Sequence, residues 1–251
     1  RKNFGGVAAL DGVDFVATAG ACTAIVGPNG SGKTTLLNVS SGYYSADAGS
    51  VTIDGRETLG MSAQRIAGLG VGRTFQTPRL LIDLTVIENV MLGAYRRETA
   101  NFASVALRLP GARAEARRLR EEALDYLSFV GLADRAEGSA GETPHGQQRL
   151  IELARAMMGG ARLIMLDEPA AGLSMTELDR LDQLLVRIRK LGATLVIVEH
   201  HLDLVASIAS SVMVLDRGKV LATGSPAEVF KDQRVLHAYM GDRALKQEAA
   251  S

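Results

Sequence analysis

With 251 residues, 47% of them hydrophobic and 22% charged, the chain is long enough for one large or two small domains around a substantial core. Lys plus Arg and Asp plus Glu both number 28, so net charge makes no case for a nucleic-acid or acidic partner. The one cysteine, Cys22, excludes an internal disulfide framework, and no apolar run approaches the ~18–20 residues of a membrane-spanning helix. With no signal peptide at its start, the chain reads as soluble and cytosolic. It opens on Arg1 rather than Met, as a trimmed polypeptide or one domain of a longer one would.

Two strand-like segments, 13–18 and 22–26, open the chain, preceded by an exposed aromatic, Phe4. A glycine-rich stretch follows, and then a short helix, 34–41, ended by Gly42. Residues 49–55 read as a strand with an Asp54-Gly55 turn, followed by a helix at 62–67 and a strand over 69–75 that ends at Gln76. From Pro78 the character becomes helical. Segments 86–96 and 112–130 have helical period, the second with Leu119, Leu124 and Leu127 on one side and its charges on a solvated face. The segment 97–108 fits helix or loop. Helix 147–158, strand 162–168, helix 175–191, strand 193–199, a short helix from His201 and strand 211–215 follow. A turn at 216–219 leads to strand 220–223, and helices 226–231 and 233–240 close the chain. The expected fold is α/β: a mostly parallel sheet core with an antiparallel β region and an inserted α-helical subdomain. Residues 1–76 and 152–251 would form the core, with C-terminal helices at 225–241, and 77–151 the insert.

The glycine-rich stretch, Gly27-Pro28-Asn29-Gly30-Ser31-Gly32-Lys33-Thr34-Thr35, matches G-x-x-x-x-G-K-[ST] between a strand and a helix. Phosphate oxygens must approach backbone N–H groups, and a Cβ at Gly30 or Gly32 would hinder them. The following helix adds its N–H groups and dipole. Lys33 is placed for the β- and γ-phosphates of ATP, and the Thr34 hydroxyl for Mg²⁺. A second signal is the apolar strand ending in Leu166-Asp167-Glu168-Pro169, since ligands bind at the carboxyl ends of strands in such sheets. Asp167 would hold Mg²⁺ through water, and Glu168 would polarise the water that attacks the γ-phosphate.

The ordered set of phosphate loop, Gln76, a G-Q-Q-R segment, Asp167-Glu168-Pro169 and His200 resembles the nucleotide-binding subunit of ABC transporters over nearly the whole chain. The resemblance implies that the α/β core is P-loop (RecA-like), and it implies further roles. Phe4 would stack on adenine. Gln76 would reach Mg²⁺ and the attacking water and couple nucleotide state to the insert. His200 would stabilise charge at the γ-phosphate, with His201 left to the surface. Residues 170–174 would meet their symmetry mate. The signature segment departs from the family's L-S-G-G-Q: here it is Thr143-Pro144-His145-Gly146-Gln147. Thr143 would cap the helix, Pro144 would take its first position, and the N–H groups of Gly146 and Gln147 would face the nucleotide of a second subunit.

Gly72-to-Gln76, Leu84-to-Val90, Asp167-to-Gly172, Glu199-His200 and the tail through Gly241 look closest to the branched-chain amino-acid uptake subfamily. The resemblance implies an ATP-hydrolysing subunit that works as a homo- or heterodimer on transmembrane permease subunits at the cytoplasmic face of the membrane, served indirectly by a solute-binding protein. The permease would dock near residues 76–84, with Arg79 and Arg96 in contact. The rivals are an ATPase of lipopolysaccharide or lipid export or of urea uptake, or an ATP-binding module of very slow turnover.

Overall fold

The computed structural model describes residues 1–96 and 110–239. The segment 97–108, the side chain of Arg96 and the end of the last helix lie outside the described residues. The chain divides into two compact units, Arg1–Val71 with Met165–Ser251, and Gly72–Ile164.

In the first unit the organising strand is Cys22–Val26 (β3, after β1 Lys2–Phe4 and β2 Val7–Leu10), buried at all its positions. It lies parallel to β8 (Thr194–Val198) on one side and β9 (Ser211–Asp216) on the other. Strands covered on both faces tolerate continuous apolar sequence, which is why these runs do not alternate. β10 (Lys219–Gly224) returns antiparallel on β9 through Arg217-Gly218, both with left-handed backbone, φ 46° and 76°. That is the geometry a two-residue hairpin needs. Asp54-Gly55 makes the same kind of turn, φ 49° and 73°, between β4 (Thr52–Ile53) and β5 (Arg56–Glu57). With β6 (Val71–Arg73) and β7 (Leu163–Asp167) the main sheet has the order β10-β9-β3-β8-β7-β6. Helices α1 (Lys33–Ser40), α2 (Ala63–Ala67), α6 (Met175–Lys190), α7 (Leu202–Ile208) and α8 (Pro226–Val229) belong to this unit.

One expected strand is absent. Residues 13–18 alternate between half-buried and exposed, with apolar Val16 among the exposed, yet form no ladder. The antiparallel pair lies earlier, β1 against β2. Period-two patterning describes a side-chain arrangement, and only a neighbouring backbone makes it a strand.

In the second unit, α3 (Val86–Met91) starts at a capping box in which Thr85 and Glu88 satisfy each other's backbone N–H groups. Its expected continuation tightens into a 3₁₀ turn, Leu92–Arg96, at low-propensity Gly93. It packs with α4 (Pro110–Phe129) and α5 (His145–Met158). Leu119, Ala123 and Leu127 form the buried stripe of α4, while Leu124 sits half-buried at its margin.

Candidate active site

The site is built at the carboxyl ends of β3, β7 and β8. Past Val26 the chain turns through Gly27, Gly30 and Gly32, with φ 144°, 76° and 104°, and enters α1 with no side-chain cap on its first N–H groups. Those groups form an anion-binding end. Lys33 is 6% exposed, and its Nζ donates to the carbonyls of Gly27 at 2.9 Å and Pro28 at 2.8 Å. The ammonium thus holds the loop curved around itself. Thr34 Oγ1 donates to Asp167 Oδ1 at 3.3 Å, which places a hydroxyl and a buried carboxylate side by side.

A pocket of about 470 Å³ opens on this loop, within the range of small-ligand sites. Its walls are Asn29, Gly30, Gly32, Lys33, Thr34 and Thr35, with Val7, Ala8, Ala9, Glu168 and Arg217. Gly27, Pro28 and Ser31 shape the loop without walling the pocket. Glu168 has a left-handed backbone, φ 50°, held by its N–H donating to the Val198 carbonyl at 2.9 Å. A non-glycine residue in that region stores strain that the surroundings must sustain, as active sites do. Its Oε1 lies 2.8 Å from Nε2 of His200. A carboxylate oriented by an imidazole beside a phosphate-sized anion site can take a proton from an attacking water.

Phe4 is 44% exposed and meets Tyr44 edge-on, ring centroids 5.4 Å apart. It is not a wall of the pocket. Gln76 and the signature segment lie in the second unit. Gln76 accepts from Arg149 Nη2 through its backbone carbonyl at 3.4 Å. Nearby, the Arg79 guanidinium lies over the Phe75 ring, 4.3 Å from its centroid, so that arginine is already engaged within its own unit. The expected cap is corrected. Thr143 is buried, its hydroxyl donates to the Ser139 carbonyl at 2.9 Å, and Pro144 occupies the capping position instead. Having no N–H, Pro144 leaves nothing unsatisfied there. The Gln147 N–H is likewise committed, donating to the Pro144 carbonyl at 2.9 Å. His145 and Gly146 are left to present the first amides of α5.

Sequence reasoning missed Val7, Ala8, Ala9 and Arg217. The first three were lost with the misplaced strand; the hairpin turn that carries Arg217 was expected, but nothing local marks it as facing the loop.

The family model described as "ABC transporter" matches residues 10–171. The chain belongs to the ABC transporter family, as an ATP-binding cassette. A model for the branched-chain amino acid ATP-binding cassette transporter matches residues 219–244. The cassette is 38% identical to the high-affinity branched-chain amino acid transport ATP-binding protein BraF of Pseudomonas aeruginosa, over 95% of this chain and 94% of that one. It superposes with TM-score 0.82 and 32% identity on the ADP conformation of an ATP-binding cassette, covering 96% of this chain and 95% of that one. On a dimeric post-hydrolysis cassette bound to ADP and Pi the TM-score is 0.76 at 25% identity, over 89% of this chain and 94% of that one. The expected α/β fold and the ATPase activity coupled to transport therefore hold for this cassette. The donor set also fits Mg²⁺. Thr34 and Asp167 supply hard oxygens side by side, and among the described residues no cluster of three His, Cys, Asp or Glu side chains forms a metal cage. An ion that takes most of its remaining ligands from phosphate and water needs no more than that.

Proposed function

We propose that the cassette is the ATPase of an importer for branched-chain amino acids or similar small solutes, one of two cassettes bound to a permease at the cytoplasmic face of the membrane. The observation that carries the chemistry is the convergence of Lys33, Thr34, Asp167, Glu168 and His200 on the carboxyl ends of the strands. The match of residues 219–244 and the relatives' names support the solute class.

In this reading the amides of the loop and Lys33 bind the β- and γ-phosphates. Lys33 exchanges its contacts with Gly27 and Pro28 for phosphate oxygens as nucleotide enters. Thr34 and Asp167 would hold Mg²⁺, which when bound neutralises phosphate charge. Glu168 takes the proton of the attacking water, and His200 keeps its carboxylate aimed. Phe4 stacks on the adenine. The His145 and Gly146 amides of a partner cassette close the site, with Thr143 supporting that segment from beneath and the Gln147 side chain beside it. The helical subdomain, 77–151, receives the permease at Leu81 and Ile82, large apolar side chains that are 54% and 65% exposed. Closure of the pair around ATP and its release after hydrolysis move the permease between its two states.

Turnover of the wild type against Glu168→Gln tests the chemistry. A loss of at least ~100-fold, the lower range for a general base, with a dimer persisting in ATP by size-exclusion chromatography, is expected. Equal turnover in the two proteins refutes the role of Glu168. Leucine uptake into proteoliposomes that hold the cassette with its permease tests the solute, and uptake of urea in place of leucine refutes it.

A further inference from the structure

Glu199 ends β8 immediately before His200, and at 1% exposure it is as buried as the strand itself. Among the described residues no cationic side chain pairs with it. Its carboxylate instead receives amides from two different loops. Oε1 accepts the N–H of Ala170 at 2.7 Å. Oε2 accepts the N–H of His200 at 2.8 Å and of His201 at 3.2 Å.

Ala170 belongs to the tight turn that follows Glu168, where the Ala171 N–H donates to the Glu168 carbonyl at 3.2 Å and the Leu173 N–H to the Ala170 carbonyl at 3.2 Å. One carboxylate therefore fastens the loop that carries Glu168 to the loop that carries His200. The Glu199 N–H also donates to the Ile25 carbonyl at 3.3 Å, which anchors the bridge to the strand that feeds the phosphate loop.

We infer that Glu199 is a positioning residue, one that holds Glu168 and His200 in register by bridging their two loops, and this rests on the proposed roles of those two residues. A carboxylate suits the task because both of its oxygens only accept, whereas an amide would turn an NH₂ group toward an N–H donor. The bridge also fixes the start of 170–174, the segment read as meeting a second cassette. The backbone state of that segment and the aim of Glu168 are then set by the same side chain.

The test compares Glu199→Gln and Glu199→Asp with the wild type in kcat, KM for ATP, binding of a fluorescent ATP analogue and thermal midpoint. Both variants are expected to lose at least tenfold in kcat, with ATP affinity within about twofold, because the phosphate loop is untouched. Asp keeps the charge but is one methylene too short to span both loops, so recovery of kcat by Glu199→Asp overturns the bridging role. So does an unchanged kcat in Glu199→Gln, or a fall in kcat matched by an equal loss of ATP binding or of folded protein. Amide exchange in the wild type is an independent check. The Ala170 and His200 amides should exchange as slowly as strand amides, and loop-like rates at both overturn the inference even where the variants do not fold. Glu168→Gln is run alongside. Wild-type turnover there refutes the reading on which the inference rests, whereas an inactive Glu168→Gln beside a fully active Glu199→Gln refutes the inference alone.

Discussion

Two glycines of the phosphate loop separate the demands of folding from those of binding. At Gly27 an added Cβ would sit 2.0 Å from the Leu215 carbonyl oxygen and 3.0 Å from Ser31 Oγ. Leu215 is fully buried in β9, which is laddered to β3 on one side and β10 on the other, so the strand cannot yield and the loop must. Clearing the contact to 3.0 Å takes at least 3.0 − 2.0 = 1.0 Å. Overpacking of this kind costs about 1–3 kcal/mol, and φ 144° adds backbone strain for alanine. A total near 3 kcal/mol lowers the melting point by about 6–12 °C at this chain length. Gly30 has φ 76° and nothing within 4 Å of its Cβ position, so alanine there costs only about 1–2 kcal/mol of left-handed strain, or roughly 2–8 °C. Gly30 nevertheless walls the pocket, and its new methyl would stand where phosphate approaches. Differential scanning calorimetry with isothermal titration of ATP should therefore show Gly27→Ala as the less stable variant. Gly30→Ala should be nearer wild type in stability and weaker in ATP binding by about tenfold or more, the loss of one to two phosphate contacts. A Gly27→Ala protein that melts with the wild type, or one more stable than Gly30→Ala, refutes the steric account of the loop.

Three other perturbations follow from the structure. Burial pushes the Glu152 carboxyl above its usual 4.5, although it accepts from the Arg79 and Phe75 amides and pairs with Arg155. A raised folded-state pKa contributes stability below the ordinary carboxylate value and loses it as pH rises through the folded value. The melting point of the wild type minus that of Glu152→Gln should accordingly fall as pH rises above the ordinary value of 4.5, and a rise would sink the assignment. Pro144→Ser supplies a side-chain cap to α5 and, in the proposed pairing of cassettes, turns a hydroxyl toward the partner's nucleotide, so ATP turnover and ATP-driven dimerisation should both increase, by an amount equivalent to about 1–3 kcal/mol. If neither changes by chromatography or phosphate release, Pro144 has no part in the contact. Burial pushes the Cys22 thiol up to about 12, and the residue is fully buried in β3, so an exposed-thiol reagent should label it only as fast as the protein unfolds. Rapid labelling of the folded protein would contradict the buried central strand.

The parts of the site legible in the sequence are those whose chemistry is contiguous. The phosphate loop carries its glycines, lysine and threonine within nine residues, and the Asp167-Glu168 pair advertises itself by ending a run of apolar side chains. Thr143 shows where such reading fails. A threonine ahead of a helix has the right composition for a cap, yet here a carbonyl three-dimensionally nearer, that of Ser139, takes its hydroxyl, and the proline that follows needs no cap at its own nitrogen. Val7, Ala8 and Ala9 are small and apolar, with nothing local to mark them as walls of a pocket; they become walls because Gly218 joins the end of β2 to the loop, its carbonyl accepting the Asp11 N–H at 2.7 Å and its own N–H donating to the Ser31 carbonyl at 3.0 Å.

Glu199 is the sharpest case, since Glu199-His200-His201 reads along the chain as a polar strand end with one useful imidazole. Its carboxylate matters because β7 and β8 are neighbours in the sheet although 26 residues separate the end of one at Asp167 from the start of the next at Thr194. Two loops that leave adjacent parallel strands must each give up amide hydrogen bonds at the moment they stop being strand. A buried acceptor between them recovers those bonds and, in doing so, makes the loops one rigid object. The proposed catalytic pair, divided between two strand ends, gains its alignment from that shared acceptor, and the need for it is set by strand order, which no local pattern records.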